Sequence, residues 1–327
     1  MRFIVGVDIG GTNIVVGTVS EDGGAIHGVR TIPTRSAEGP RAVISRIAAL
    51  VEESIRATVL EAGIGREDVV GVGIGAPGPL DRARGLVLLT PNLGWEELPL
   101  RDLVSEAVGL PATLDNDANC AIYGEWWVGA ARGSDYVVGL TIGTGIGGGI
   151  VVCGKLYHGA SDIAGEIGHT TIDSTGRRCK CGNYGCLEAY ASGPAIAARA
   201  VEGIEAGADS SLPGLVGGDL SLVTAQTVYM AAQQEDEYAS EVVRETAKFL
   251  GAGVANLVNI FNPDVIVLVG GVTLAGDRLF VPLRSEVKRR AFKPAVERCR
   301  ILPGALPGTA GVFGAAATFK LQTWGKP

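Results

Sequence analysis

The chain is poor in several features that would point to particular classes of protein. It has six cysteines in 327 residues, and no segment resembles a signal peptide, which argues against a disulfide-stapled secreted fold. No apolar run reaches transmembrane length without polar interruption or dense glycine. Lys and Arg number 28 against 35 Asp and Glu, so the net charge is −7, which disfavours a general nucleic-acid surface. We expect a cytoplasmic protein in a reducing compartment.

The composition favours a large globular protein. Hydrophobic residues make up 46% of the chain and charged residues 19%, so a large core can form. The length suggests about two domains by the usual prior. The 49 glycines cluster in a few loops. Clustered glycine indicates places where backbone approaches a ligand, since glycine alone lets other atoms come that close.

One short stretch, EIGHTTIDSTGRRCKCGNYGCLE at residues 166–188, holds half of the cysteines. Its candidate metal ligands are His169, Cys179, Cys181 and Cys186. Structural zinc is bound by four such ligands in a tetrahedron, and four protein ligands leave no open position for catalysis. Gly182 and Gly185 stand where a tight turn needs positive φ. A disulfide or an unmetallated thiol cluster is the alternative. Glu166 and Glu188, poor zinc ligands beside thiolates, are interpreted as groups that this loop directs at something else.

A glycine-rich hairpin opens the chain. The sequence DIGGTN at residues 8–13 lies between two predicted strands. Such a turn can present several backbone N–H groups to an anion, as phosphate-cradling loops do. Asp8 could hold Mg²⁺ through water, because Mg²⁺ keeps several waters and takes one or two carboxylates. An ordinary glycine hairpin with a turn aspartate is the alternative.

The same pattern returns in the middle of the chain. VGVDIGGTNIVVGTV at residues 5–19 resembles VGLTIGTGIGGGIVV at residues 138–152. Two matching glycine hairpins are stronger evidence than either alone. They predict an internal repeat with one anion-cradling hairpin in each half, and the pair could hold a polyphosphate between two domains.

Polar residues follow a third predicted strand at DNDAN, residues 115–119. A helix follows, and one of these residues is expected to cap it. The remaining side chains exceed what a cap needs, so we expect Asn116 and Asp117 to point outward at a ligand. A carboxylate at this place could accept a proton from a hydroxyl nucleophile.

Three further features are less specific. Asn92, in the stretch PNLGW, either binds hydroxyl groups of a ligand or is a turn asparagine. Gly270 and Gly271 end a buried strand and would let a flat ring or a ribose lie against backbone. His27 and His158 have no partner that the sequence identifies.

Taken in order, DIGGTN, GTGIGGG, EIGH and CKCGNYGCLE resemble the ROK family of sugar kinases and sugar-responsive repressors. The resemblance covers nearly the whole chain, and PNLGW, DNDAN and LEAYASG most resemble the bacterial glucokinases of this family. It implies an α/β protein with a duplicated actin-like, ribonuclease-H-like ATPase fold and a central cleft. The smaller domain would comprise residues 1–117 and the C-terminal helix 311–327, and the larger one, with the zinc loop, residues 118–310.

The resemblance also implies the reaction, ATP-dependent phosphorylation of the 6-hydroxyl of glucose, with Mg²⁺ and structural Zn²⁺. Asp117 would be the general base and Asp8 would position Mg²⁺. The sugar would be bound by Asn92, Asn116, Asp117, Glu166, His169 and Glu188, with His169 using its other ring nitrogen for zinc. The phosphates would be held by Gly10, Gly11, Thr12, Asn13, Thr144, Gly145, Gly147 and Gly148, and the adenosine would lie near Gly270 and Gly271.

The chain departs from the family pattern at Asn13, where many members carry Lys. The motifs do not separate glucose from mannose, fructose, N-acetylglucosamine or N-acetylmannosamine, nor ATP from polyphosphate as donor. A second class is a non-catalytic sugar-sensing repressor. The first hairpin begins at Asp8, which leaves no room for an N-terminal helix-turn-helix, and the net charge disfavours DNA. A purely structural zinc protein would leave both hairpins and DNDAN unexplained. The family suggests a homodimer or tetramer.

Overall fold

The computed structural model describes residues 1–90 and 92–325. Pro91 of the PNLGW stretch, and Lys326 and Pro327 of the predicted C-terminal helix, lie outside the described residues. Groups of strands are separated along the chain by single helices or by runs of helices. The strands are β1 Phe3–Ile9, β2 Asn13–Ser20, β3 Ile26–Pro33, β4 Val69–Ala76, β5 Leu80–Asp81, β6 Leu86–Thr90, β7 Trp95–Leu98, β8 Ala112–Asn116, β9 Tyr136–Ile142, β10 Ile146–Val152, β11 Lys155–Leu156, β12 Val265–Val269 and β13 Arg300–Pro303.

The α-helices are α1 Pro40–Ala62, α2 Leu100–Val108, α3 Asp117–Trp127, α4 Glu188–Ala191, α5 Gly193–Glu205, α6 Leu212–Leu215, α7 Ala225–Gln233, α8 Glu237–Phe261, α9 Asp277–Arg290, α10 Lys293–Val296 and α11 Ala310–Trp324. Short 3₁₀ turns cover Ser36–Glu38, Arg66–Asp68, Ile167–His169, Leu220–Leu222 and Gly271–Ala275. In the part of the chain described here, no helix is both long and apolar enough to cross a membrane.

The first sheet has the order β3-β2-β1-β4-β8. β1 pairs antiparallel with β2 and parallel with β4, and β4 pairs parallel with β8. Its central strands are apolar on both faces because helices cover both. Val43, Ile47 and Val51 of α1 are fully buried in the cluster that covers one face. Burying each such side chain stabilises the fold by about 1.5–3 kcal/mol.

Helix α11 covers the other face of this sheet and is buried along most of its length. It comes unusually close to the strands, since a Cβ at Gly73 of β4 would collide with the carbonyl oxygen of Ala315. Its small residues also admit α3, because a Cβ at Gly314 would collide with the carbonyl oxygen of Cys120. The end of β8 and the start of α3 are therefore held by backbone packing on both sides.

The second sheet has the order β11-β10-β9-β12-β13. Its strands take the same places, in sequence order, as β3, β2, β1, β4 and β8 in the first sheet. β10 pairs antiparallel with β11, and β12 pairs parallel with β13, as β4 pairs with β8. The repeat predicted from the two glycine hairpins is thus a repeat of whole sheets.

The chain divides into two compact units. The first comprises Met1–Val137, Gly149–Gly165 and Gly304–Pro327, and the second comprises Val138–Gly148 and Glu166–Pro303. The first unit runs past Asp117, where the predicted smaller domain ended, because α3 packs on α11. The domain division at residues 117 and 118 stays a prediction.

Some elements were not foreseen. The stretch 209–220 is rich in Gly and Ser, a composition that predicts an exposed loop, but it contains the short helix α6, whose Leu212 is fully buried. A three-stranded sheet of order β5-β6-β7 and the helix α2 fill the region between β4 and β8, which the sequence left largely unassigned. These strands are short, so apolar alternation does not reveal them.

Candidate active-site residues and metal-binding cluster

Two carboxylates meet at one edge of the first sheet. Asp8 lies near the end of β1, and its register partner on β4 is Gly75, which in turn pairs with Asp115 of β8. Asp117 follows two residues later, as the first residue of α3. Because Gly75 carries no side chain, nothing from β4 separates the carboxylates. The pKa of Asp8 is raised to about 7, first by burial and then by the negative charge of Asp117.

The surroundings of Asp8 suit a cation. A Cβ at Gly311 of α11 would collide with the Asp8 carboxylate, so the helix leaves room for this side chain and no more. Two neighbouring carboxylates repel each other, and a bound divalent cation relieves that repulsion. Mg²⁺ prefers oxygen ligands of this kind and keeps several waters. The residues present therefore fit Mg²⁺.

The DNDAN segment forms the turn from β8 into α3. The Oδ1 atom of Asn116 accepts hydrogen bonds from the backbone N–H groups of Ala118 and Asn119, at 2.9 and 3.1 Å. Asn116 is therefore the helix cap, which is worth about 1 kcal/mol. From the sequence we expected Asn116 to point at a ligand and another residue to cap the helix. In the structure the carboxamide oxygen of Asn116 is the cap. Its Nδ2 group is the part that can donate to a ligand.

The first hairpin turn, Gly10 to Thr12, is held by its own carbonyl groups. Gly10 donates its N–H to the carbonyl of Asn13 at 2.9 Å. Thr34 donates its N–H to the carbonyl of Thr12 and its hydroxyl to that of Gly10, at 2.8 and 2.7 Å. Gly11 and Thr12 are exposed, so their N–H groups belong to an accessible and firmly held turn.

Asn92 lies beside the first hairpin turn. Its Cβ lies 4.0 Å from the place where a Cβ of Gly11 would stand, and its backbone carbonyl accepts a bond from Ser36. The side chain is exposed. The structure thus brings Asn92 beside the first hairpin, in the unit that also contains Asp8 and Asp117.

The predicted metal ligands come together in the second unit. The ligand atoms of His169, Cys179, Cys181 and Cys186 all lie within 4.8 Å of one another. Cys181 Sγ and Cys186 Sγ are 3.7 Å apart, and Cys179 Sγ is 3.8 Å from His169 Nδ1. A tetrahedral zinc ion with Zn–S bonds of about 2.3 Å holds its ligand atoms roughly 3.8 Å apart. The cluster therefore fits zinc.

The disulfide alternative is wrong for this structure. All six cysteines are free thiols, and sulfurs 3.7 Å apart are well beyond the roughly 2.05 Å of a disulfide bond. The predicted positive φ angles are present, at 96° for Gly182 and 70° for Gly185. At Gly185 any side chain would also collide with the carbonyl oxygen of Asp173. The loop can close around a metal only with glycine there.

His169 faces two ways. Its Nδ1 atom points at the cluster, while Nε2 lies 3.9 Å from the carboxylate of Glu166. Burial raises the pKa of Glu166, the neighbouring His169 lowers it, and the negative charge of Glu188 raises it again. These three side chains therefore interact electrostatically. The candidate metal ligand among them, His169, has one ring nitrogen directed away from the thiol cluster.

Glu188 links the metal cluster to the second hairpin. Its Oε1 atom lies 3.8 Å from Cys179 Sγ, and Oε2 accepts a hydrogen bond from the backbone N–H of Ile146 at 2.9 Å. A Cβ at Gly145 would stand only 2.6 Å from Oε2. Sequence reasoning had assigned this side chain to the sugar alone. The structure gives it a second task, which is to hold the hairpin turn.

The second hairpin turn comprises residues 143–145, and it borders a large cavity within the second unit. Gly143 donates its N–H to Gly145 and accepts one from Gly193. The cavity measures about 760 Å³, and its lining includes Gly143, Thr144, Gly271, Gln226, Tyr229 and Met230. Gly147 and Gly148 lie further on, within β10. Gly270, with φ at 105°, lets β12 end against the carbonyl of Ile142.

Sequence reasoning missed part of this region. It identified Thr144 and Gly271, and it predicted helices at 194–206 and 225–235, but it did not predict that α5 and α7 complete the cavity, since their lining residues carry no motif. It also found no partner for two histidines. The structure pairs His27 with Glu61 at 3.3 Å and His158 with Asp115 at 3.0 Å.

The chain is similar in sequence to sugar kinases and sugar-responsive repressors. The family model described as "ROK family" matches residues 4–322, and the chain belongs to this family. It is 39% identical over 323 residues to the glucokinase of Thermotoga maritima, covering 98% of each chain. It is 34% identical over 314 residues to a putative xylose repressor of a Caldicellulosiruptor species, covering 96% of this chain and 77% of the repressor.

A solved structure supports the same assignment. The ROK family glucokinase from Streptomyces griseus, crystallised with glucose and AMPPNP, matches with a TM-score of 0.84 and 36% identity. The match covers 96% of this chain and 98% of that chain. The predicted family and the predicted fold class, the duplicated actin-like α/β fold, are confirmed.

Proposed function

We propose that this protein is an ATP-dependent glucokinase, which transfers the terminal phosphoryl group of ATP to the 6-hydroxyl of glucose. The observation that carries this proposal is the pair of carboxylates, Asp8 and Asp117, at one sheet edge beside the glycine-rich hairpin. Phosphoryl transfer depends mainly on positioning and charge neutralisation. The nearly full-length similarity to glucokinases, one of them crystallised with glucose and a nucleotide, supports the substrates.

We assign the two carboxylates different roles. Mg²⁺ held by Asp8 through water would keep that carboxylate ionised and would supply the charge that offsets the phosphates. Asp117 would then be the general base that accepts the proton of the sugar hydroxyl. Asn116 would donate to the sugar through Nδ2, because its oxygen is committed to the helix cap. Asn92 is assigned to the sugar as well.

In the second unit we assign Glu166, His169 and Glu188 to the sugar. A structural zinc in the Cys₃His cluster would fix their positions, as ordered surroundings fix any binding site. His169 suits both tasks, since Nδ1 faces the cluster and Nε2 faces away from it.

The phosphates are assigned to the two hairpins. The first would use Gly10, Gly11, Thr12 and Asn13, and the second would use Thr144, Gly145, Gly147 and Gly148. The turn around Thr144 is the stronger candidate in the second hairpin because Gly148 is buried in β10. We assign the adenosine to the cavity beside Gly270 and Gly271, which is large enough for a nucleoside at about 760 Å³.

The test is ATP consumption by the purified protein with Mg²⁺ against glucose, mannose, fructose and their N-acetyl amines, with polyphosphate as a second donor. A preference for glucose and ATP supports the proposal. A preference for another sugar keeps the mechanism and changes the substrate. The similarity to a xylose repressor makes a sensor the second candidate. Sugar binding without any turnover would favour the sensor and would contradict the kinase proposal.

We also propose a cytoplasmic, homo-oligomeric protein, as expected from the sequence. The three free thiols of the metal cluster support a reducing compartment, because an oxidising one would favour disulfides. Light scattering of the purified protein measures the oligomeric state directly, and a mass equal to one chain would contradict the oligomer.

A further inference from the structure

Two residues before Asp117 stands a carboxylate that the proposed reaction does not use. Asp115 is completely buried. Its oxygens accept bonds from Arg82 Nε at 3.0 Å and from His158 Nε2 at 3.0 and 3.1 Å. The backbone N–H of Asn116 donates at 2.9 Å and the Asn119 side chain at 3.3 Å. A buried charge is tolerable only when its lone pairs are satisfied in this way.

The donors come from distant parts of the chain. Arg82 follows β5, and His158 lies in the segment after β11. Gln322 of α11 also approaches Asp115, at 3.4 Å. Arg82 has a second carboxylate partner, Asp162, at 3.3 Å. Arg82, His158 and Gln322 thus belong to three separate segments of the chain, and all three contact the side chain of Asp115 in β8.

Stability alone does not account for this arrangement. A buried ion pair is often no more stable than apolar side chains of the same volume, and the neighbouring Leu114 is apolar and fully buried. The hydrogen bonds to Asp115 hold the turn between β8 and α3, which contains Asp117. Asn116 and Asn119 stand on either side of Asp117 in the chain, and both are bonded to Asp115.

We propose that Asp115 is a positioning residue for phosphoryl transfer: with Arg82 and His158 it fixes the turn that presents Asp117 to the sugar hydroxyl. The inference rests on the proposed kinase function. Catalysis by an oriented base is sensitive to small displacements, and a shift of about 1 Å can cost roughly 100-fold in rate. Sugar binding, which draws on many contacts, is far less sensitive to one displaced carboxylate.

The test compares two replacements of His158. His158→Gln keeps a side-chain N–H that can reach Asp115, whereas His158→Phe keeps the ring and removes the donor. We expect kcat to fall by roughly 10-fold or more in the Phe variant, with KM for glucose within about 3-fold, and to fall much less in the Gln variant. His27→Phe is the matched control, since His27 pairs with Glu61 far from Asp117 in the chain, and it should match wild type.

A second variant covers the case in which His158→Phe does not fold. Asp115→Asn preserves volume and leaves Arg82 paired with Asp162, and we expect it to lower kcat by roughly 10- to 100-fold at unchanged glucose affinity, measured by calorimetry. Equal kcat for wild type, both His158 variants and Asp115→Asn overturns the inference, as does a loss confined to KM. A wild-type protein that phosphorylates no sugar overturns the proposed function, and the inference with it.

Discussion

The two units hold their candidate site residues by different means. In the first, Asp8 and Asp117 stand at the ends of parallel strands, where backbone pairing and the packing of α11 determine their positions. In the second, Glu166, His169 and Glu188 belong to a loop and to its junction with the short helix α4, and a thiol cluster gathers them. A sheet edge is rigid without a metal, whereas a loop of this kind needs one.

The largest effect should come from replacing Asp117, the proposed general base. Asp117→Asn removes the proton acceptor while keeping the size of the side chain, so kcat should fall by roughly 10²- to 10⁴-fold while glucose binding persists. Steady-state kinetics and calorimetry measure the two separately. Asp102→Asn, an exposed position of α2 in the same unit, is the control. Turnover near the wild-type rate in the Asp117 variant would remove this residue from the mechanism.

Asp8 should reveal a conflict between function and stability. Its folded-state pKa of about 7 lies above the ordinary value of 3.8, so the folded protein binds the extra proton between these values. Without metal, the contribution of Asp8 to stability should therefore be fully present below about pH 3.8 and should be lost as the pH rises to about 7. Asp8→Asn should abolish this decline and stabilise the metal-free protein at pH 8 by about 2–4 kcal/mol.

Urea unfolding of both proteins across pH 4–8 in the presence of a chelator measures this difference. The same variant should lose turnover, because it lacks the carboxylate that we propose as the holder of Mg²⁺. Parallel pH profiles for wild type and Asp8→Asn would contradict the assignment, since the raised pKa would then belong to another group.

Metal loss should affect the second unit alone. Cys181→Ser should lose about one zinc per chain by elemental analysis and should weaken glucose binding by roughly 10- to 100-fold, the usual cost of disordering a metal's surroundings. Cys153→Ser, an exposed thiol of the first unit, should retain both. Hydrogen exchange should show loosening in residues 166–188 and none in β1, β4 or β8. A metal-free protein with full glucose affinity would refute the zinc proposal.

Replacing Glu188 should have the smallest effect on kinetics. Two variants should separate its proposed contact with glucose from its hydrogen bond to the second hairpin turn. Glu188→Gln keeps an oxygen that can accept the N–H of Ile146, whereas Glu188→Ala leaves that N–H without its acceptor. We expect the Gln variant to raise KM for glucose several-fold and leave KM for ATP unchanged. The Ala variant should raise both, because the turn around Thr144 loses its support. Equal KM values for ATP in the two variants would show that this hydrogen bond does not hold the turn.

Local features were well predicted from the sequence. Apolar runs and glycine turns located β1, β2, β8, β9, β10 and β12, whereas the two-residue strand β11 was not predicted. The four candidate metal ligands were recognised, and the structure brings them together, because all four lie within one short stretch. Asn116 was interpreted less well, since a cap and a ligand-binding residue carry the same local signature.

The order of residues along the chain determined the repeated hairpins and the thiol cluster, because each depends on neighbours within a short segment, and the motifs taken together implied the fold class through their resemblance to a family. Tertiary structure decided the rest. The pKa of Asp8 depends on burial beneath α11, more than 300 residues away in the chain. The partners of Asp115 come from Arg82, His158 and Gln322, which share no motif. Such contacts arise only when distant segments pack, and no spacing along the chain encodes them.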